Sequence, residues 1–302
     1  MSMSYLKRLK DNLATLRGLF IHSGERRSGI DRRTRWYDCL LVIREDLPPS
    51  LRIILGIIPI LLLLLFWVVI TSGSAESRMI SPLILPSPLE VLGSFKSLWF
   101  EKELTRSIIA STLRVLGGFI AGLIVAFPLG ILMGAFSKIR ALFDPIAVFG
   151  GYLPIPALVP LTLSLFGTGE TQKIMFLALA FFVYLLPLFI RAIDSVDETY
   201  LRTASTLGAS KWQTVRYVMF GVAFPGIYNA MRMGFGIGWT YIILAEMVAA
   251  ERGLGQIIIV AQRRGPREHI YLVLVVIVLI AYVTDKMWVR VGRHLFPYQE
   301  ES

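Results

Sequence analysis

The chain has 302 residues, 55% of them hydrophobic and only 17% charged, with a formal net charge of +10. A soluble domain carries about 25% charged residues, so the long apolar blocks exclude the two soluble domains that length alone would allow and imply one membrane bundle. A single cysteine, Cys39, excludes an intrachain disulfide, and His22, His269 and His294 lack ligand spacing, so no metal site is expected.

Residues 1–50 are polar and basic. The first long apolar block begins only at Ile53, so a cleaved secretory signal is not expected. Leu6, Leu9, Leu13, Leu16 and Phe20 recur at helical spacing among Lys7, Arg8, Lys10 and Arg17. That pattern fits a basic amphipathic helix on the membrane surface, and equally a solvated helix packed on a partner. Residues 24–35 follow with five arginines, which suit anionic lipid headgroups or a solvated linker. The segment is read as a cytoplasmic extension, residues 51–290 as the transmembrane domain and 291–302 as a cytoplasmic tail.

Six spans are expected in an all-α bundle. Ile53–Ile70 is an uninterrupted apolar run, long enough to cross a bilayer. Residues 71–106 read as a loop and a short helix, Pro88–Trp99. The second span covers Ile108–Phe136, with Gly118, Gly122, Gly130 and Gly134 spaced for close helix contact. The third, Asp144–Phe166, carries Pro145, Pro154, Pro156 and Pro160 and should be broken or bent. Ile174–Ile190, Val222–Ala249 and Ile270–Trp288 complete the set. No repeat of 20–50 residues is evident. The basic residues gather beside the apolar blocks, which points to membrane lipid and not to nucleic acid. With six spans, twenty Lys and Arg fall on the side of the termini and nine on the other, so both termini are expected in the cytoplasm.

Between the fourth and fifth spans lies a polar stretch, Asp194–Ile227. Leu201, Ala204 and Leu207 form an apolar stripe. Gly208 suits the left-handed position that closes a helix, and Ser210 is a good N-cap for the next. Trp212, Val215 and Val218 continue an apolar face. A helix, a break and a second helix are therefore expected, forming an elbow whose apolar face can enter a partner's groove.

The run Thr203-Ala204-Ser205-Thr206-Leu207-Gly208-Ala209-Ser210, followed by Pro225-Gly226-Ile227, resembles the "EAA" signature of ABC importer permeases. Leu85-Pro86-Ser87-Pro88, Ser111-Thr112-Leu113-Arg114-Val115-Leu116-Gly117-Gly118-Phe119 and Leu244-Ala245-Glu246-Met247 resemble the branch that imports sulfonates, taurine, nitrate and bicarbonate. The resemblance extends over about residues 80–290. It implies a type I importer permease bundle in the cytoplasmic membrane, with a coupling helix at Leu201, Arg202, Thr203, Ala204, Leu207, Gly208, Ala209, Ser210 and Trp212. It also implies a separate ATPase subunit that uses ATP and Mg, an extracytoplasmic solute-binding protein, a homodimer of this chain and alternating access. Arg202 stands where the family has glutamate, Thr203 where it has its first alanine, and Gly221 where a proline is usual.

The residues agree on one point independently. No Gly-x4-Gly-Lys-[Ser/Thr] phosphate loop is present, and Gly234–Gly238 lacks the lysine, so this chain should bind no nucleotide or other cofactor. A clustered acid, base or metal set is also lacking, so no enzyme is expected. Arg114, Arg232 and Glu246 lie within apolar spans, where a central charge costs about 2.5–3.5 kcal/mol and so faces a cavity or a partner. They are candidates for an anion pathway, or each arginine pairs with a carboxylate such as Glu246. A secondary transporter or channel working without ATP is the alternative, and it would have only these three charges to use.

Overall fold

A computed structural model describes residues 47–73, 78–248 and 250–298, all helices and connections. The amphipathic helix expected near the N-terminus lies outside the described residues. The chain divides inside its first helix into one unit ending at Leu61 and a second beginning at Leu62. The first unit's described part is the start of α1 (Pro49–Ile70), where Ile53 through Leu61 are exposed apolar side chains. Such a surface suits lipid, where backbone groups are satisfied within the helix itself.

The second unit begins with the rest of α1. Two short helices follow, α2 (Pro88–Gly93) and α3 (Phe95–Phe100), separated at Ser94. The expected single helix is thus two. Ser87 caps α2 in a reciprocal capping box with Glu90. Trp67 Nε1 donates to the carbonyl of Pro86 at 3.0 Å, and Tyr271 donates to that of Ile84 at 2.8 Å. These bonds hold the short helices over one end of the bundle.

The centre of the unit is the pairing of α4 (Leu104–Ala135) with α7 (Glu170–Asp194). A Cβ added at Gly118, Gly122, Gly130 or Gly134 would come within 2.4–2.8 Å of Leu177, the Ala178 carbonyl and Phe181, Phe189 or Ile193. The glycines therefore set the distance between the helices, as their spacing implied. Phe119 stands edge-on to Phe181 and to Phe235, each at 5.3 Å, which joins α4 and α7 to α10 (Phe220–Met247).

The third expected span is broken. It consists of α5 (Ser137–Gly151), a 3₁₀ turn (Ile155–Ala157) and α6 (Leu158–Phe166), and its two halves are bent by 90°. Pro154 and Pro156 explain the break: a residue preceding proline is driven out of helical conformation, and proline itself donates no hydrogen bond.

The sequence implies six spans, the third of them broken or bent. Among the described residues four helices, α1, α4, α7 and α12 (Arg267–Leu295), are long and apolar enough to cross a membrane, and the bent pair makes five if counted as one. Helix α10 is long but not among them. Its five glycines, together with Asn229, Arg232 and Glu246, lower its apolarity. It nevertheless runs from one end of the bundle to the other. Phe224, near its start, meets Phe296, and Glu246, near its finish, joins Arg114 and the α11 (Leu254–Arg264) terminus. Helix α12 continues to Leu295, into the stretch read from sequence as the tail.

Candidate functional site

The elbow forms as its residues dictate. Asp197 accepts the Thr199 N–H and caps α8 (Glu198–Thr206); the Thr199 side chain and backbone hold its carboxyl below the usual aspartate range. At the far end the Ala209 N–H donates to Ala204 and the Gly208 N–H to Ser205, the two bonds of a Schellman turn. Gly208 has φ +78°, open to glycine at no steric cost. Ser210 then caps α9 (Lys211–Gln213) with Gln213 as its reciprocal partner. A π-helical stretch, Thr214–Met219, carries the chain into α10.

The apolar stripe expected along the elbow divides in two. Ala204 is buried and Leu201 packs against the core, which anchors α8. Leu207 is 81% exposed and Trp212 66% exposed, with Trp212 touching Phe136 edge-on at 5.8 Å. Tyr200 and Tyr217 are exposed beside them. Arg202 and Thr203 also face solvent, and Arg202 donates to Glu198 one turn earlier at 2.7 Å. The elbow shares its end of the bundle with Arg140, which pairs with Asp194 at 2.6 Å, and with Phe296 near the C-terminus.

The three charges expected within the spans fall into two separate sets. At the end opposite the elbow, the Glu246 carboxylate is fully buried. It accepts from Ser111 Oγ at 2.7 and 2.9 Å, from Arg114 Nη1 at 2.7 Å and from the Gly255 N–H at 2.9 Å. Arg114, also buried, donates in addition to Glu170, at 2.6 and 2.7 Å, and to the Arg252 carbonyl at 2.6 Å. Ser111 accepts the Leu254 N–H at 3.0 Å. Beside them Lys173 is buried, with Thr168 and Gly169 carbonyls as acceptors. Gly253, at φ +142°, could carry no side chain, since a Cβ there would meet Glu246 at 2.4 Å and Arg114 at 2.7 Å. The cluster thus ties α4, α7, α10 and the start of α11 together with every charge paired.

Arg232 lies apart from this cluster. It forms a two-bond ion pair with Asp285 of α12 at 2.6 and 3.0 Å, about a third exposed. Asp285, Ser111, Glu170 and Lys173 are partners that sequence reading did not single out. Ser111 could have been found, because it sits one turn before Arg114 on the same helix face.

A second feature missed in the sequence is a seam along α10. Val222, Gly226, Asn229, Met233, Gly236 and Thr240 are all exposed and recur at alternating steps of four and three. Between residues 271 and 283 of α12, by contrast, the exposed side chains are Leu274, Val275, Val278, Leu279, Tyr282 and Val283. A face carrying Asn, Thr and two glycines is unsuited to lipid. Its spacing is that of a helix seam which meets another surface. Among the described residues no group of three His, Cys, Asp or Glu is placed to hold a metal ion.

Comparison with known proteins bears on both regions. Residues 118–285 match the family described as "Binding-protein-dependent transport system inner membrane component". The chain is 31% identical over 261 residues to a taurine transport system permease protein of Escherichia coli K12, covering 84% of this chain and 93% of that one. It is 27% identical over 221 residues to a putative aliphatic sulfonates transport permease protein of Bacillus subtilis 168, covering 73% and 80%. Its fold is similar to a chain of the inward-facing MetNI methionine ABC transporter, with a TM-score of 0.58 at 21% identity over 63% of this chain and 95% of that one.

Proposed function

Because the chain belongs to the family of binding-protein-dependent transport system inner membrane components, and so is the permease subunit of an ABC importer and not an enzyme, we propose how it is powered and what it carries. A separate ATPase subunit docks on the elbow, with Leu207 and Trp212 inserted in its cleft and Arg202, Thr203, Ala209 and Ser210 at the contact. ATP is hydrolysed there, with Mg as its cofactor. Closure of the ATPase pair moves the elbows and turns the bundle between inward- and outward-open states. The observation that carries this reading is the elbow itself. Two independent caps fix its backbone while its largest apolar side chains stay exposed in a loop that is otherwise polar. Exposed aromatics held on a rigid support are the usual energetic centres of interfaces.

The cargo is a small anion of the taurine, sulfonate, nitrate or bicarbonate type, delivered by an extracytoplasmic binding protein at the end opposite the elbow. The taurine and sulfonate relatives support this class. Both termini and the elbow lie in the cytoplasm, which the Lys and Arg distribution supports. Two copies of the chain form the channel. The α10 seam lines it, with Arg232 at its flank to attract the anion. Arg114 and Glu246 act on the pathway indirectly, by holding its outer end.

Leu207→Ala with Trp212→Ala tests the docking, since both side chains are exposed and little of the fold depends on them. An interface aromatic is worth about 2 kcal/mol or more, so the ATPase subunit should be lost from the purified complex while thermal stability is kept. An ATPase that co-purifies in undiminished amount would overturn the docking site.

A further inference from the structure

Where α3 meets α4, a hollow of about 310 Å³ opens against α11 and the start of α12. Its floor is apolar, formed by Ile257, Val260 and Ala261. Lys102, Gln256, Arg264, Pro266 and His269 complete its lining. Lys102 and Arg264 are exposed, and neither is in an ion pair among the described residues. His269 is only 6% exposed, and its ring makes no hydrogen bond within the protein among the described residues. Its ring nitrogens keep some accessible surface and are not sealed in the core. His269 lines a cavity in which the other two ionisable groups are cations.

Glu268 and Glu101 are close enough to act electrostatically on His269, but neither lines the hollow. Glu101 accepts the Ser97 hydroxyl at 3.0 Å, and Glu268 lines the neighbouring hollow together with Glu90. The lining of the His269 hollow itself holds no carboxylate. Two cationic donors, an imidazole and an amide around an apolar floor make a receptor for a negatively charged, oxygen-rich group with a short carbon tail.

We propose that this hollow is a binding site for one small organic oxyanion, held between Lys102, Arg264 and His269 with its carbon portion on Ile257 and Val260. The site is distinct from the α10 seam and from the elbow. It does not depend on the transport reading. The same chemistry is offered by a free alkyl sulfonate or carboxylate and by the phosphate head of an anionic lipid.

The test uses the full chain in nanodiscs of phosphatidylcholine. Ethanesulfonate is titrated by calorimetry in one arm, and in the other phosphatidylglycerol is added and retention followed by native mass spectrometry. One equivalent of at least one probe should bind, and the arm that responds identifies the source. Lys102→Gln with Arg264→Gln should weaken that binding by about tenfold or more, since two charge-assisted contacts are removed. Lys96→Gln with Arg263→Gln removes the same net charge from exposed positions outside the hollow, and should leave binding unchanged. Failure of both probes to bind, or an equal loss in the two double variants, would overturn the site.

Discussion

Glu246 shows how much one buried side chain can organise. Its carboxylate has lost all contact with solvent and is repaid by a hydroxyl and a guanidinium from α4 and a backbone N–H from α11. Removing one member of such a set strands the others. Breaking a buried pair from one side costs about 3–5 kcal/mol, so Glu246→Ala should lower unfolding stability in detergent by about that amount. Arg114→Met combined with Glu246→Leu should recover much of the loss, because no buried charge is then stranded: Glu170 is exposed and keeps Lys173 at 3.7 Å. A single variant as stable as the parent would mean that the cluster holds nothing. The pair Arg78 and Glu90 is the exposed counterpart. Hydrogen bonds from Arg78, and then from the Ser87 N–H, hold the Glu90 carboxyl down at about 2. A lowered acid stabilises the folded form above its ordinary value, near 4.5, and that contribution disappears as pH falls from 4.5 toward 2. Hydrogen-exchange protection of residues 81–94 should therefore decline between pH 5 and pH 3, and in Glu90→Gln it should be low and flat across that range. Equal acid sensitivity in the two proteins would count against this pair.

Among the elements, the α4–α7 contact is the most exacting. A side chain at Gly122 would meet the Ala178 carbonyl and Phe181 Cβ at 2.8 Å, whereas one at Gly117 would rest on Ile174 at 3.6 Å, an ordinary contact. Gly122→Val should thus destabilise by about 1–3 kcal/mol or prevent assembly, as overpacking does, and Gly117→Ala should be tolerated. Detergent unfolding of the two variants separates the cases, and equal behaviour would contradict the packing. This contact was legible in the sequence because glycine spacing is a local signal. The elbow was legible for the same reason: Gly208 and Ser210 each serve their own turn, and both do so as expected. What the pattern could not carry was the direction of each side chain. Leu201, Ala204 and Leu207 look alike as a stripe, yet the Schellman turn swings Leu207 outward while the other two point to the core. Glu246 is legible as a partner of Arg114, whereas nothing local ties Glu170 and Asp285, 56 and 53 residues away along the chain, to Arg114 and Arg232. The α10 seam was obscured by its own low apolarity, which reads as a weak span until neighbouring helices show which face is left open.

At the scale of the whole molecule, the two ends differ in construction. The end bearing the elbow exposes aromatic side chains on capped turns. The opposite end is locked by the buried Arg114–Glu246 cluster and covered by α2 and α3. A transport cycle driven from the elbow would then move helices around an outer end that is held by paired charges. The central claim is that power enters at the elbow from another subunit. Proteoliposomes containing this chain with its ATPase subunit and binding protein provide the most direct measurement: uptake of labelled taurine or a related sulfonate, with ATP inside. Uptake should require the ATPase and ATP, and should fall to background for Leu207→Ala with Trp212→Ala. Uptake that continues at the same rate with the ATPase subunit omitted would contradict the account.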